Sequence, residues 1–384
     1  MTSVDVLLVS PPTPVWGAQL RMLDYAPALA ERGVRLTLAS PPDGDFHARW
    51  VGCGLPHRAV DLPMLDGIRD PETDRRPPPH QLAATLARAA RGTGSLARAI
   101  GDVDAVWSFY LRSHPASVIA ARLRRVPVVV EVVDIVSPGI GRRILQRCSA
   151  SADATIVNSA ATGAALEGRG RNVHIIHPGV DIERFEPGPT SLATRRVLAD
   201  DGGVLFGIAG RIDEDKGIDV LIEAFARVPR ELDARLAVIG AVGMSSEAAA
   251  DRLRARAAEL LGGRARFVGR RDDMPDVLRC LDVLVNASPA EPFGRSVLEA
   301  QATGVAVIGS RQGGIPEFVS DGSTGLLVQP SDADDLARAM TTLAADAGLR
   351  QRLGAAARAQ AVADFNIVDR YDQVAELLIE LVRP

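Results

Sequence analysis

Short apolar runs alternate with longer segments of helical periodicity along the whole chain. Val4–Ser10 is a continuous apolar run, as expected of a strand buried on both faces. Ala18–Arg32 follows with apolar residues near helical spacing, Gly33 stops it, and Val34–Ala39 is apolar again. This is a βαβ unit, which implies a parallel sheet. The same reading predicts helices at Gln81–Ile100, Ala116–Leu123, Ile140–Ala150 and Thr162–Glu167. They fall among strands at Ala105–Ser108, Val126–Val133, Ala154–Val157 and Val173–Ile176. Residues 41–80 are rich in Pro, Gly, Asp and Arg and read as one long loop.

Residues 178–203 carry Pro178, Gly179, Pro187, Gly188, Pro189 and the pair Gly202-Gly203, the pattern of a linker. Beyond it the alternation restarts, with strands at Val204–Ala209, Ala234–Ile239, Arg266–Val268, Val283–Asn286, Val305–Gly309 and Gly325–Val328. Helices at Gly217–Val228, Glu247–Leu261 and Ser296–Thr303 separate them, and three helices ending at Val382 close the chain. The fold class is therefore α/β: two Rossmann-like, doubly wound parallel-sheet domains at 1–180 and 204–365, a linker at 181–203, and a final helix at 366–384. Such sheets bind ligands beyond the carboxyl ends of their strands, so two of them facing each other predict an interdomain cleft.

Composition narrows the function. The chain has 384 residues and a net charge of −4, so nothing global points to nucleic acid. Residues 1–175 hold 20 arginines against 16 acids, a balance of +4 that leaves −8 for the remainder. A basic first half fits an anionic acceptor or a peripheral membrane contact, but no dense basic run marks such a surface, and chance surface charge is the blander reading. Three widely spaced cysteines make no disulfide framework and fit a reducing cytosol. The start of the chain reads as a buried strand rather than a signal peptide, so a cytoplasmic location is expected.

The sharpest motif is Gly210-Arg211-Ile212-Asp213-Glu214-Asp215-Lys216-Gly217, between a strand and a helix. It lacks the Gly-Lys-Ser/Thr of a Walker loop. A cation at each end of the turn suits an anion too large for one side chain, such as a diphosphate. Lys216 is the only lysine in the sequence, so a chain strongly biased to arginine keeps one ammonium here. The second motif is Glu291-Pro292-Phe293-Gly294-Arg295-Ser296-Val297-Leu298-Glu299-Ala300. Glu299 could accept hydrogen bonds from vicinal hydroxyls such as those of ribose. If Ser296 opens the helix, it could equally close a capping box. Gly294 would let backbone amides approach an anion.

With GR-x4-KG followed by E-PFG-x3-LEA, the chain resembles the retaining glycosyltransferases of family 4, also called the group 1 transferases, which have the GT-B fold. His177-Pro178-Gly179-Val180-Asp181 with Phe185, Gly313-Gly314-Ile315-Pro316-Glu317, Asp321–Leu327 and Trp16-Gly17-Ala18 extend the resemblance over nearly the whole chain. It implies transfer of a sugar from a nucleotide-diphosphate donor to a small-molecule, saccharide or lipid-linked acceptor, with retention of anomeric configuration and no metal or other cofactor. Arg211 and Lys216 would hold the diphosphate, with Gly210 in the same turn, and Glu299 would hold the ribose. Glu291 would contact the transferred sugar, and Phe293 and Gly294 would offer backbone contacts. Gly17 would approach the phosphates, and the final helix would cross back to the first domain. Where many members carry a histidine after the strand Val126–Val133, this chain has Val133 or Asp134. Asp134, Trp16 and His114 are then candidates for donor or acceptor contacts.

Three Asp-x-Asp matches, at Asp43, Asp102 and Asp332, are too many for a pattern that marks metal-dependent transferases, and two sit where strands or helices want acids. Gly139-Ile140-Gly141 lacks the third glycine of a dinucleotide fingerprint, which weighs against a nicotinamide dehydrogenase. A non-catalytic or degenerate nucleotide-sugar-binding protein and a GT-B epimerase or phosphorylase are the other readings.

Overall fold

The computed structural model describes residues 3–11, 15, 17–62, 79–199, 202–243 and 247–383. Trp16 and residues 63–78 of the expected loop lie outside the described residues. Contacts divide the chain into two units, Met1–His177 with Val368–Pro384, and Pro178–Ile367.

The first unit runs β1 (Val4–Val9), α1 (Gly17–Glu31), β2 (Val34–Ser40), α2 (Asp45–Gly52), β3 (His57–Ala59), α3 (Pro79–Ile100), β4 (Ala105–Phe109), α4 (His114–Arg124), β5 (Val128–Val132), α5 (Ile140–Ser151), β6 (Ala154–Val157), α6 (Ala160–Gly163) and β7 (Val173–Ile175). Its seven strands are parallel in the order β3-β2-β1-β4-β5-β6-β7. Alternate residues point to opposite faces. Leu7, Val106, Val130 and Val157 join the core under α3, α4 and α5. Trp107 and Phe109 point the other way, where Tyr25 of α1 lies 6.5 Å from the Trp107 ring.

The second unit contains α7 (Leu192–Leu198), β8 (Val204–Ala209), α8 (Ile218–Ala226), β9 (Ala234–Ile239), α9 (Glu247–Leu261), β10 (Ala265–Gly269), α10 (Met274–Cys280), β11 (Val283–Val285), α11 (Arg295–Ala302), β12 (Ala306–Ser310), β13 (Leu326–Val328), α12 (Ala333–Ala345) and α13 (Ala347–Asp364). Its six parallel strands run β10-β9-β8-β11-β12-β13, the order of a dinucleotide-binding sheet. Both faces are buried: Phe206, Val238 and Val283 pack under α8, α9 and α12, and Leu205, Ile239 and Leu284 pack under α10 and α11. Near-continuous apolar strands follow from that double burial.

The last helix, α14 (Ile367–Val382), belongs to the first unit. Tyr371 meets Tyr25 edge-on at 5.0 Å, and Asp372 accepts from Arg32 at 2.5 Å. Among the described residues, no helix is long and apolar enough to cross a membrane.

Two expectations are corrected. The stretch read as one loop over 41–80 contains α2 and β3, because Phe46 and Trp50 form a buried pair that a Pro/Gly count does not weigh. The linker contains α7, capped by the Ser191 hydroxyl accepting from the Thr194 amide.

Candidate functional site

In the second unit the strand order reverses between β8 and β11, and the crevice at such a reversal is where open α/β sheets bind ligands. The loops leaving these two strands are the two motifs. The first loop, 210–217, ends on Gly217 at φ 62°, which starts α8. A Cβ on Gly217 would collide with the carbonyl oxygen of Ala287 in the second loop, so the two loops pack backbone to backbone. Gly313 and Gly314 support the second loop from behind in the same way. The Gly314 amide donates to the Glu291 carbonyl at 2.8 Å, and a side chain on either glycine would strike the 291–293 backbone.

This packing brings Lys216 to Glu291. Lys216 Nζ donates to Glu291 Oε2 at 2.8 Å across 75 residues of chain, and both side chains keep some exposure. Ser288 Oγ and Asn286 Nδ2 donate to the same oxygen at 3.0 and 3.4 Å. Burial, the largest single influence, pushes the Glu291 carboxyl up. The Lys216 charge and the bonds from Lys216, Ser288 and Asn286 together outweigh it and hold the group below its ordinary value of 4.5. Glu291 is thus a carboxylate at neutral pH. Asn286 and Ser288 were not singled out from the sequence. Their position directly after an apolar strand, five and three residues before Glu291, was the available signal.

Arg211 is held by two acids of its own loop, the buried Asp213 and the exposed Asp215, the latter at 3.1 Å. Two carboxylates thus face the one guanidinium, which remains partly exposed. Glu299 lies on α11 and accepts from Arg295 at 3.4 Å. Its capping-box alternative is excluded: α11 starts at Arg295 with Gly294 as cap at φ 102°, so Val297 occupies the third helical position. The Phe293 ring is buried and stacked on Phe318 at 4.7 Å.

The first unit places its candidates differently. Gly17 is the exposed first residue of α1, after the loop leaving β1, and Asp134 is half-buried beyond β5. His114 opens α4 but is buried, with Nδ1 2.9 Å from Ser108 Oγ. Burial pushes its pKa down to about 3, a backbone contact with Glu131 offsetting only part of that. In this arrangement the His114 ring is therefore buried and neutral. The structure adds one pair the sequence did not reveal: Arg21 of α1 donates to Glu131 of β5, both buried, with the guanidinium over Phe109 and Tyr25.

Two Asp-x-Asp matches have structural roles. Asp102 pairs with Arg58 while Asp104 accepts from the Asp5 amide, and Asp332 caps α12 through the amides of Asp334 and Asp335.

Residues 193–360 match the profile of the family described as glycosyl transferases group 1, and residues 15–184 match that of glycosyltransferase family 4. A D-inositol 3-phosphate glycosyltransferase of Xylanimonas cellulosilytica is 30% identical over 89% of this chain and 87% of its own length. A protein of the same description from Kribbella flavida is 38% identical over 48% of this chain and 46% of its own. The first curated relatives are matched over half of their length or less. Among solved structures, Anabaena HepE in complex with UDP-glucose superposes with TM-score 0.82 at 23% identity, covering 98% of this chain and 99% of that one. A Rickettsia africae glycosyltransferase gives 0.82 at 18% over the whole of both chains. Both share the GT-B architecture of two parallel-sheet domains. With both loops of the second unit in place and a full-length relative at this identity, the chain belongs to the group 1 glycosyltransferases, family 4.

Proposed function

We propose that this protein moves a sugar from a nucleoside-diphosphate sugar to an acceptor hydroxyl in the cytosol, with retention at the anomeric carbon and without a metal ion. The observation that carries this reading is the bond from Lys216 Nζ to Glu291 Oε2. It joins a cation and a hydroxyl acceptor, from motifs far apart in sequence, on one surface at the switch point of a sheet. Arg211 and Lys216 hold the diphosphate, and their two charges offset the phosphate charge that a divalent cation would otherwise neutralise. Glu291, ionised and held through Oε2, offers Oε1 to a hydroxyl of the transferred sugar. Glu299 accepts from the ribose hydroxyls, and the backbone at Phe293 and Gly294 approaches the donor.

Breaking the bond between sugar and diphosphate develops negative charge on the leaving group, so fixed cations act most strongly in the transition state. The acceptor oxygen attacks from the face the diphosphate leaves, and a departing phosphate oxygen takes the acceptor proton. A carboxylate paired with Lys216 serves this route as a hydrogen-bond acceptor rather than as an acid. Support comes from family membership and from the name shared by the relatives, D-inositol 3-phosphate glycosyltransferase, an activity on a phosphorylated polyol.

The test is calorimetry with UDP, GDP, dTDP and ADP in EDTA, followed by transfer assays with the matching sugar nucleotides and NMR of the product anomer. One diphosphate is expected to bind without metal. Lys216→Ala and Glu299→Ala are expected to keep the fold and lose transfer. No heat with any diphosphate, or near wild-type transfer by both variants, defeats the reading.

A further inference from the structure

The helices on the two faces of the first sheet are oppositely charged. α3, α4 and α5 lie side by side on one face and contain eight arginines and no acidic residue. α1 and α14, in contact on the other face, contain six acids and two arginines. Within the basic layer, the outward stripe of α4 carries Ile119, Arg122 and Leu123, and that of α5 carries Ile140, Arg143 and Arg147. Ile119, Leu123 and Ile140 are 52%, 70% and 62% exposed, although each belongs to a type that is usually buried. The Arg122 guanidinium donates to the Ser151 carbonyl at the end of α5, which ties the two helices into one surface.

The second unit treats its surface arginines differently. On its helices Arg254, Arg256, Arg279 and Arg338 each pair with an acid three residues away. α4 and α5 contain no acid of their own; Arg142 reaches Glu167 at 3.4 Å, while Arg143 and Arg147 pair with no acid among the described residues.

We propose that the outward face of α4 and α5 docks on a membrane surface rich in anionic phospholipid. Arginines draw the face to the headgroups, and the aliphatic side chains between them enter the acyl boundary, the combination that holds interfacial helices. Long arginine stems let the charged ends remain with the phosphates while the apolar face sinks. A nucleic-acid surface would be served by stacking aromatics, and this stripe has none while exposing three large aliphatics. The inference is independent of the proposed transfer, because Arg211, Lys216, Glu291 and Glu299 lie in the other unit and vesicle binding is read without substrate.

The experiment is flotation of the full chain with vesicles of phosphatidylcholine alone or mixed with phosphatidylglycerol. Preferential binding to the anionic vesicles is expected, weakening steeply with salt as surface electrostatics are screened. It should change little between pH 6 and pH 8, because arginine does not titrate there. The pairs Ile119→Ser with Leu123→Ser and Arg143→Gln with Arg147→Gln should each lower partitioning about tenfold or more. Circular dichroism melts and nucleotide calorimetry should remain those of wild type, which shows that the variants are folded. Equal binding to both vesicle types, no binding, unchanged partitioning of both variants, or binding of RNA or acidic protein in place of vesicles overturns the proposal.

Discussion

Lys216–Glu291 in the second unit and Arg21–Glu131 in the first pair the same two kinds of charge, yet their surroundings differ. The lysine and glutamate side chains are 18% and 15% exposed, in loops beyond the strand ends. The arginine and its glutamate are 6% and 0% exposed, between α1 and the middle strands. A pair that still meets water can exchange its partner for a ligand at modest cost. A fully buried one cannot, because separating it strands a charge in a medium that solvates it poorly. The exposed pair is thus suited to binding, and the buried pair to fixing α1 against the sheet.

The largest effect should come from the buried pair. Glu131→Ala is expected to destabilise the protein by about 3–5 kcal/mol, the cost of leaving a buried charge alone. A thermal melt would read this as a drop of roughly 10 °C. Replacing both partners, Arg21→Met with Glu131→Leu, should recover most of it, and a double variant as unstable as the single would break the comparison. Lys216→Ala should instead cost transfer about a hundredfold to a thousandfold. Its melting temperature should barely move, since Glu291 keeps Ser288, Asn286 and water as partners.

Next is pH. His114 is kept neutral when folded, with its pKa lowered to about 3, whereas an unfolded chain takes up a proton near 6.5. Its contribution to stability is complete above 6.5 and lost as the pH falls towards 3, roughly 3 kcal/mol by pH 4. Urea titrations at pH 7 and pH 4 check this, and His114→Gln should flatten that part of the profile. Glu291, lowered below 4.5, adds a loss that begins only in acid. The smallest effect expected is that of Gly217→Ala. A positive φ and a collision with the Ala287 carbonyl should cost about 1–3 kcal/mol and loosen donor binding, read by melting and calorimetry.

Local patterns were legible wherever the physics is local. The apolar strands announced themselves because both faces of each sheet are covered, and Gly33 and Gly217 marked turns their neighbours could not make. Features that depend on distant contacts were not. α2 is held by Phe46 packing on Trp50, and α7 is a short capped helix inside a Pro/Gly-rich stretch. Glu299 looked like a cap residue until the helix was seen to begin one residue earlier than Ser296. The charge of the α3–α4–α5 layer escaped a search for dense basic runs because its arginines are scattered over 60 residues of chain and gathered only by packing.

Sequence alone determined the alternation of strands and helices, the two motifs, and the solitary lysine among arginines, since these depend on near neighbours and residue chemistry. Only the tertiary structure decided which charges meet. Sheet register and loop packing join residues 75 and 110 positions apart, and burial then sets whether such a pair binds a ligand or locks a helix.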